Sequence, residues 1–225
     1  MGQSYIEIKN VTKTINGNLI LDNITLNLDR GKVYGIKGKN GSGKTMLFRA
    51  ICGFIKTEGS ITVNGKSIGK DGGYPDSVGV LLENPGFLPN YSGFKNLKYL
   101  AEINKKINDE DIINILKEVG LDPHEKKSFR KYSLGMKQKL GIAQAVMENP
   151  DVVILDEPTN ALDEESVKKI NSMIRKLKND NKLVFISNHN RDELEMICDE
   201  IYSIENGKIY DHVIMSEENI NEKKN

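Results

Sequence analysis

The chain has 225 residues, enough for one domain with a substantial core, and its 32 Lys and Arg residues balance its 32 Asp and Glu residues. This balance excludes a global electrostatic attraction to nucleic acid or to an anionic membrane, so any anion binding must be local. No apolar run reaches the roughly 18 residues of a membrane-spanning helix, and no signal-peptide pattern opens the chain. We therefore expect a soluble, cytoplasmic protein, with Cys52 and Cys198 as reduced core residues.

The first eighty residues combine short β-rich runs with turn signals. Asn-Gly pairs at Asn16-Gly17 and Asn64-Gly65 lie between alternating apolar residues, which predicts two hairpin turns. We expect this part of the chain to be antiparallel. Within it, the run KVYGIKG passes directly into KNGSGKTMLFRAICGF, a glycine-rich loop followed by a helical pattern.

The glycine-rich loop GKNGSGKT fits the pattern G-x-x-x-x-G-K-[ST]. Its glycines let several backbone N–H groups point into one concavity, its lysine adds a positive charge for the β- and γ-phosphates, and its threonine can ligate Mg²⁺. The alternative, a glycine-rich turn beside a surface lysine, is disfavoured by the flanking strand and helix. The predicted nucleotide-binding residues of the loop are Gly38, Asn40, Gly41, Ser42, Gly43, Lys44, Thr45 and Met46.

Between about residues 85 and 147 the apolar residues recur at three- and four-residue spacing. This pattern in GFKNLKYLAEI, DEDIINILKEVG and LGMKQKLGIAQAVM predicts an inserted helical subdomain. Ser133 precedes the last of these helices and Gly135 lies in its first turn, which is typical of an anion-binding helix start. An ordinary N-capped helix is the alternative.

Two continuous apolar runs, DVVILDE and KLVFISN, flank the helical pattern DEESVKKINSMIRKLKND. Strand, crossover helix and strand predict a parallel α/β sheet. Asp156 and Glu157 end the first strand, where ligands bind in open α/β sheets. Asp156 is predicted to hold Mg²⁺ through water, and Glu157 to accept a proton from a water attacking the γ-phosphate. Two solvated carboxylates that merely end a strand are the alternative.

A third Asn-Gly turn at Asn206-Gly207 predicts a last hairpin, and a polar tail follows from about residue 216. No internal repeat and no Pro- or Gly-rich linker divides the chain. We therefore predict a single domain over residues 1–225.

With YSLGMKQKL and VVILDEPTNALD after the phosphate loop, the chain resembles the nucleotide-binding subunits of ABC transporters, over roughly Tyr5 to Gly207. The resemblance implies a P-loop NTPase core that uses ATP and Mg²⁺. It also implies that two such domains pair head to tail, as a homodimer or with another ATPase subunit. Ser133 and Gly135 of one domain would then contact the γ-phosphate held by the other.

Further positions match this family. Asp163, in NALD, corresponds to a loop near the dimer seam, although it also suits a helix N-terminus on capping grounds. His189, directly after a strand, corresponds to the switch histidine that contacts the γ-phosphate. The resemblance thus implies a catalytic set of Lys44, Glu157 and His189.

Two positions depart from the family pattern. Glu83 stands where a glutamine commonly senses Mg²⁺ and the membrane subunit; its carboxylate can ligate Mg²⁺ but cannot donate a hydrogen bond. Ile15 stands where an aromatic residue commonly stacks on adenine, so it can cover the base but supplies no π–π contact.

The leading functional hypothesis is an ATPase at the inner face of the cell membrane that drives export through a separate multi-span subunit. The stretch LLENPGFLPNYSGFKNL resembles exporters linked to antimicrobial-peptide or antibiotic resistance. An ABC protein acting on ribosomes or DNA is the alternative, although such proteins usually carry two cassettes or a long coiled coil. A P-loop kinase would leave YSLGMKQKL unexplained. No nucleic-acid partner is expected.

Overall fold

The computed structural model of the protein describes residues 4–69, 73–83 and 85–215. The strands in this part of the chain are β1 (Ile6–Ile15), β2 (Asn18–Leu28), β3 (Lys32–Lys37), β4 (Glu58–Val63), β5 (Lys66–Ser67), β6 (Val78–Leu81), β7 (Val152–Leu155), β8 (Leu183–Asn188), β9 (Glu200–Glu205) and β10 (Lys208–Ile214). The α-helices are α1 (Lys44–Ile51), α2 (Gly93–Asn104), α3 (Asp109–Glu118), α4 (Leu134–Val146), α5 (Glu164–Asn179) and α6 (Arg191–Glu195). A short 3-10 turn spans Phe129–Lys131.

The strands form two sheets. The four-stranded sheet has the order β2-β1-β4-β5 and antiparallel pairing, whereas the six-stranded sheet has the order β10-β9-β3-β8-β7-β6. In the larger sheet all neighbouring pairs are parallel except β9 with β10. This arrangement confirms the predicted fold class, an α/β core with a mainly parallel sheet and an antiparallel N-terminal region.

The expectation that the first eighty residues are antiparallel is wrong for two strands. β3 pairs parallel with β8 and β9, and β6 pairs parallel with β7. β3 is buried over Val33 to Ile36, as a strand covered on both faces requires. Local turn signals could not reveal this, because the partners of β3 lie about 150 residues further along the chain.

The three predicted Asn-Gly hairpin turns are confirmed, between β1 and β2, β4 and β5, and β9 and β10. Each asparagine has φ near 49° and each following glycine has φ between 75° and 80°. Positive φ at both central residues matches the twist of the flanking strands, so Asn-Gly is favoured there.

The three helices predicted between residues 85 and 147 are confirmed as α2, α3 and α4. Each begins at a polar residue whose side chain accepts a backbone hydrogen bond: Ser92, Asn108 and Ser133. Treating the chain as one domain over residues 1–225, with helical limits at 85 and 147, stays a prediction. The predicted polar tail lies outside the described residues.

Two hydrophobic clusters cover the faces of the six-stranded sheet. One packs the sheet against α2 to α5, and the other packs it against α1 and the antiparallel sheet. Cys52 and Cys198 are buried free thiols in these clusters, as expected. Among the described residues, no helix combines the length and the apolar character needed to cross a bilayer.

Parallel pairing sets the position of the site. Gly35 is opposite Ile186, Ile186 is opposite Leu155, and Leu155 is opposite Leu81. The four strands therefore end together, and the loops that follow β3, β6, β7 and β8 meet at one edge of the sheet.

Candidate active site

An open cleft of about 690 Å³ lies at this edge. Its walls come from the glycine-rich loop, the ends of β6 and β7, and the first turns of α4. The residues that line it are Ile20, Asn40, Gly41, Gly43, Lys44, Thr45, Met46, Glu83, Leu134, Gln138, Asp156, Glu157, Asn160 and Ala161.

The glycine-rich loop turns directly into α1. Gly43 has φ 110°, and the first bond of the helix runs from the Leu47 N–H to the Gly43 carbonyl. The earlier N–H groups of α1 therefore have no acceptor within the helix. The Ser42 hydroxyl is buried and makes no hydrogen bond to the described residues. These donors fit a bound oxyanion such as phosphate.

Lys44 is only 5% exposed, and its ammonium group is held across the loop. Its Nζ donates to the Gly38 carbonyl at 2.7 Å and to the Lys39 carbonyl at 3.2 Å. The same Nζ lies 3.6 Å from Glu157 Oε1. The positive charge therefore lies between the loop and the carboxylate at the end of β7.

Asp156 connects three elements. The Thr45 hydroxyl, at the start of α1, donates to Asp156 Oδ2 at 2.5 Å. The Ser187 hydroxyl, at the end of β8, donates to the other oxygen of the same carboxylate. The hydroxyl and the carboxylate are hard oxygen donors, so the pair fits Mg²⁺.

Glu157 has a strained backbone, with φ 48°. Its N–H donates to Ser187 Oγ at 2.9 Å, and its carbonyl accepts from Gln138 Nε2 at 2.9 Å. Its carboxylate lies 4.0 Å from Nδ1 of His189, a mostly exposed side chain. The structure thus brings together Lys44, Glu157 and His189.

Seven predicted residues are not in this lining: Ile15, Gly38, Ser42, Ser133, Gly135, Asp163 and His189. Three of them lie on or beside helix starts. Ser133 is exposed and caps α4 by accepting from the Met136 N–H. Asp163 caps α5, and hydrogen bonds from Ser166 lower the pKa of its carboxyl. Gly135 packs against the loop after β7, where a Cβ would lie 2.9 Å from the Ala161 carbonyl oxygen.

Ile15 and Glu83 have different surroundings. Ile15, at the end of β1, is 38% exposed and is not in the lining, where Ile20 of β2 lies instead. Glu83 lines the cleft with φ 53°, and its carboxylate lies 3.1 Å from Arg49 Nη2. A carboxylate at this position is thus paired with a cation of α1.

Sequence reasoning missed Ser187 and Gln138. Ser187 is in the run KLVFISN, directly before Asn188 and His189, so its place near the end of a strand was a usable signal. Gln138 is a polar residue of an amphipathic helix, and nothing in its spacing indicates contact with Glu157.

Comparison with known proteins identifies the family. The family described as ABC transporter matches residues 21–160. An uncharacterised ABC transporter ATP-binding protein of Bacillus subtilis, YybJ, is 43% identical over 205 residues, which are 91% of this chain and 94% of that protein. The chain belongs to the ABC transporter family.

Other members of the ABC transporter family have named substrates. The bacitracin transport ATP-binding protein BcrA of Enterococcus faecalis is 37% identical, covering 94% of this chain and 70% of that protein. The lantibiotic transport ATP-binding protein SrtF of Streptococcus pyogenes is 34% identical, covering 91% and 88%. The fold resembles the dimeric ATP-binding cassette MJ0796 bound to ADP and Pi, with TM-score 0.86, 22% identity and coverage of 94% and 99%.

The predicted family and enzyme class are therefore confirmed. This chain is an ATP-binding subunit of the ABC transporter family and an ATPase.

Proposed function

We propose that this ABC ATPase powers the export of an antimicrobial peptide or antibiotic through a separate multi-span membrane subunit. The observation that carries the ATPase part of the proposal is the contact between Thr45 and Asp156, because it joins the phosphate loop to the carboxylates at the end of β7. The names of the bacitracin and lantibiotic relatives support the substrate class and favour transport over action on ribosomes or DNA.

The glycine-rich loop binds the phosphates of ATP. The free N–H groups at the start of α1, including those of Thr45 and Met46, and the Ser42 hydroxyl supply donors, and Lys44 supplies positive charge. Asn40, Gly41 and Gly43 line the cleft, and Gly38 allows close approach of the backbone. Ile20 is better placed than Ile15 to cover the base, because only Ile20 lines the cleft.

Thr45 and Asp156 would hold Mg²⁺, with Glu83 as a further oxygen ligand from the end of β6. Among the described residues, no group of three or more His, Cys, Asp or Glu side chains could hold a metal ion. Binding of the ion therefore depends on phosphate oxygens, as is usual for Mg²⁺. When bound, Mg²⁺ neutralises charge on the β- and γ-phosphates.

Glu157 accepts a proton from a water whose oxygen bonds to the γ-phosphorus, and the bond from that phosphorus to the bridging oxygen of ADP breaks. Lys44, whose Nζ lies 3.6 Å from Glu157 Oε1, stabilises negative charge on the phosphates. His189 is mostly exposed and its Nδ1 lies 4.0 Å from the Glu157 carboxylate, which supports a contact with the γ-phosphate.

Ser133, Gly135 and Asp163 act at the dimer seam. The first turn of α4 presents N–H donors and the positive end of the helix dipole, and Ser133 is exposed. A second copy or a paired ATPase subunit can bring its nucleotide to this surface. In this arrangement the assembly lies at the inner face of the membrane, against the transport subunit.

Two variants test the proposal. Glu157→Gln protein should dimerise with ATP because hydrolysis is blocked, and a variant that stays monomeric at saturating ATP would contradict the dimer. Ser133→Arg should abolish turnover while ATP still binds, whereas unchanged turnover would exclude the role of Ser133 at the partner's nucleotide. Co-purification from detergent extracts should yield a multi-span membrane protein, and recovery of ribosomes or DNA would favour the alternative.

A further inference from the structure

We propose that Gln138 is a positioning residue that fixes Glu157 and makes its placement depend on helix α4 of the same chain. The inference rests on the proposed role of Glu157 as the general base. Gln138 is in the second turn of α4, and its amide nitrogen donates to the Glu157 carbonyl at 2.9 Å. A hydrogen bond of this length is of ordinary strength.

The backbone of Glu157 needs such support. Its φ of 48° is a conformation that a residue with a Cβ adopts at a cost, and such residues persist where their surroundings hold them. Two side chains hold this one. Ser187 accepts from its N–H, and Gln138 donates to its carbonyl, which also accepts a longer bond of 3.2 Å from the Asn160 N–H of the same loop. Both polar groups of its backbone are therefore held by side chains from outside the loop.

The two supports belong to different parts of the fold. Ser187 is the second-last residue of β8 in the central sheet, whereas Gln138 is on α4 in the helical region. Ser187 therefore links Glu157 to the rigid sheet, and Gln138 links it to the helix. A displacement of α4 against the sheet would stretch the Gln138 bond and leave the Ser187 bond in place.

A second contact joins the same helix to the same loop. Gly135, one turn before Gln138, packs so closely that a Cβ would lie 2.9 Å from the carbonyl oxygen of Ala161, whose φ is 62°. Helix α4 thus rests on the loop that follows β7 at two points, Glu157 and Ala161. Leu134 and Gln138 also line the cleft.

This contact links two sites. The exposed start of α4 at Ser133 is proposed to meet the partner's nucleotide, and five residues further along the chain Gln138 holds the general base of this chain's own site. Contact of the partner's nucleotide with α4 would therefore be transmitted to Glu157. The carboxylate must be placed closely, since displacement of a catalytic group by about 1 Å can cost 100-fold in rate.

The test is steady-state ATP hydrolysis by the full chain carrying Gln138→Met, which keeps the side-chain length and removes the donor. We expect kcat to fall roughly 10- to 100-fold with KM within about 2-fold, because the Glu157 position is perturbed and the phosphate loop is intact. Gln138→Lys, which restores a donor, should recover part of the lost kcat. Gln144→Met makes the same change on the same helix away from Glu157 and should leave kcat unchanged.

The outcomes separate this inference from the proposed function. If the Glu157→Gln variant hydrolyses ATP at the wild-type rate, the role of Glu157 itself is refuted. If Glu157→Gln is inactive but Gln138→Met keeps full kcat, only the positioning role is wrong. Equal losses in Gln138→Met and Gln144→Met would indicate general helix destabilisation, and a raised KM with unchanged kcat would make Gln138 a nucleotide contact. Each of these last two results would overturn the inference.

Discussion

Ser187→Ala removes one hydroxyl that serves both carboxylate residues of the site. Ser187 is fully buried, donates to Asp156 and accepts from the Glu157 N–H. A hydrogen bond to a charged group contributes about 1.5–3 kcal/mol, and an unsatisfied buried N–H costs about 1–3 kcal/mol. We expect the free energy of unfolding to fall by about 3 kcal/mol, near the lower part of the combined range.

Thermal and urea unfolding measure this change directly. A loss of about 3 kcal/mol corresponds to a Tm decrease of roughly 6–12 °C for a chain of this size. Because Asp156 and Glu157 both lose a support, kcat should fall about 10- to 100-fold. Ser203→Ala, at a buried serine of β9, is the control and should change kcat little. A Tm within 2 °C of wild type, or unchanged kcat, would refute the reasoning.

Two further predictions concern the phosphate loop and Glu200 at the start of β9. Gly38→Ala should abolish ATP binding in titration calorimetry, because a Cβ at this position would lie 2.6 Å from a backbone carbonyl oxygen of β9. Gly86→Ala is the control and should bind ATP normally, because a Cβ at Gly86 would meet no atom within 4 Å. At Glu200, burial acts to raise the carboxyl pKa, but hydrogen bonds from Lys32 and His212 outweigh burial, and the pKa is lowered. Its stabilisation is therefore present above the unfolded pKa of about 4.3 and is lost as pH falls through the lower folded pKa. Urea unfolding at a series of pH values measures this effect. Glu200→Gln should reduce the loss of unfolding free energy as the pH falls below about 4.3. An unchanged loss in this variant would contradict the role of Glu200.

Much of the fold could be predicted because its signals are local. The Asn-Gly turns require positive φ at two adjacent residues, and all three form hairpins. The helices from residue 93 to residue 146 follow apolar spacing and begin at polar caps. The run VVIL is buried along its whole length, as its continuous apolar character indicates.

The candidate site could be predicted in part for the same reason. The glycine-rich loop needs only consecutive residues to form its concavity, and Asp156 and Glu157 follow directly from the end of a buried strand. Ile15 illustrates the limit. The family resemblance implied a place over the base for Ile15, whereas Ile20 of β2 is the isoleucine in the cleft lining.

The sequence by itself determined the phosphate loop, the paired carboxylates, the hairpin turns and the family, since each depends on residues that are close in the chain. Only the tertiary structure decided that β3 joins the parallel sheet, that Ser187 supports both carboxylate residues, and that Gln138 reaches Glu157. These contacts join residues 19 to about 150 positions apart. Their geometry depends on strand order, register and helix packing, which burial of the whole core fixes and no local pattern specifies.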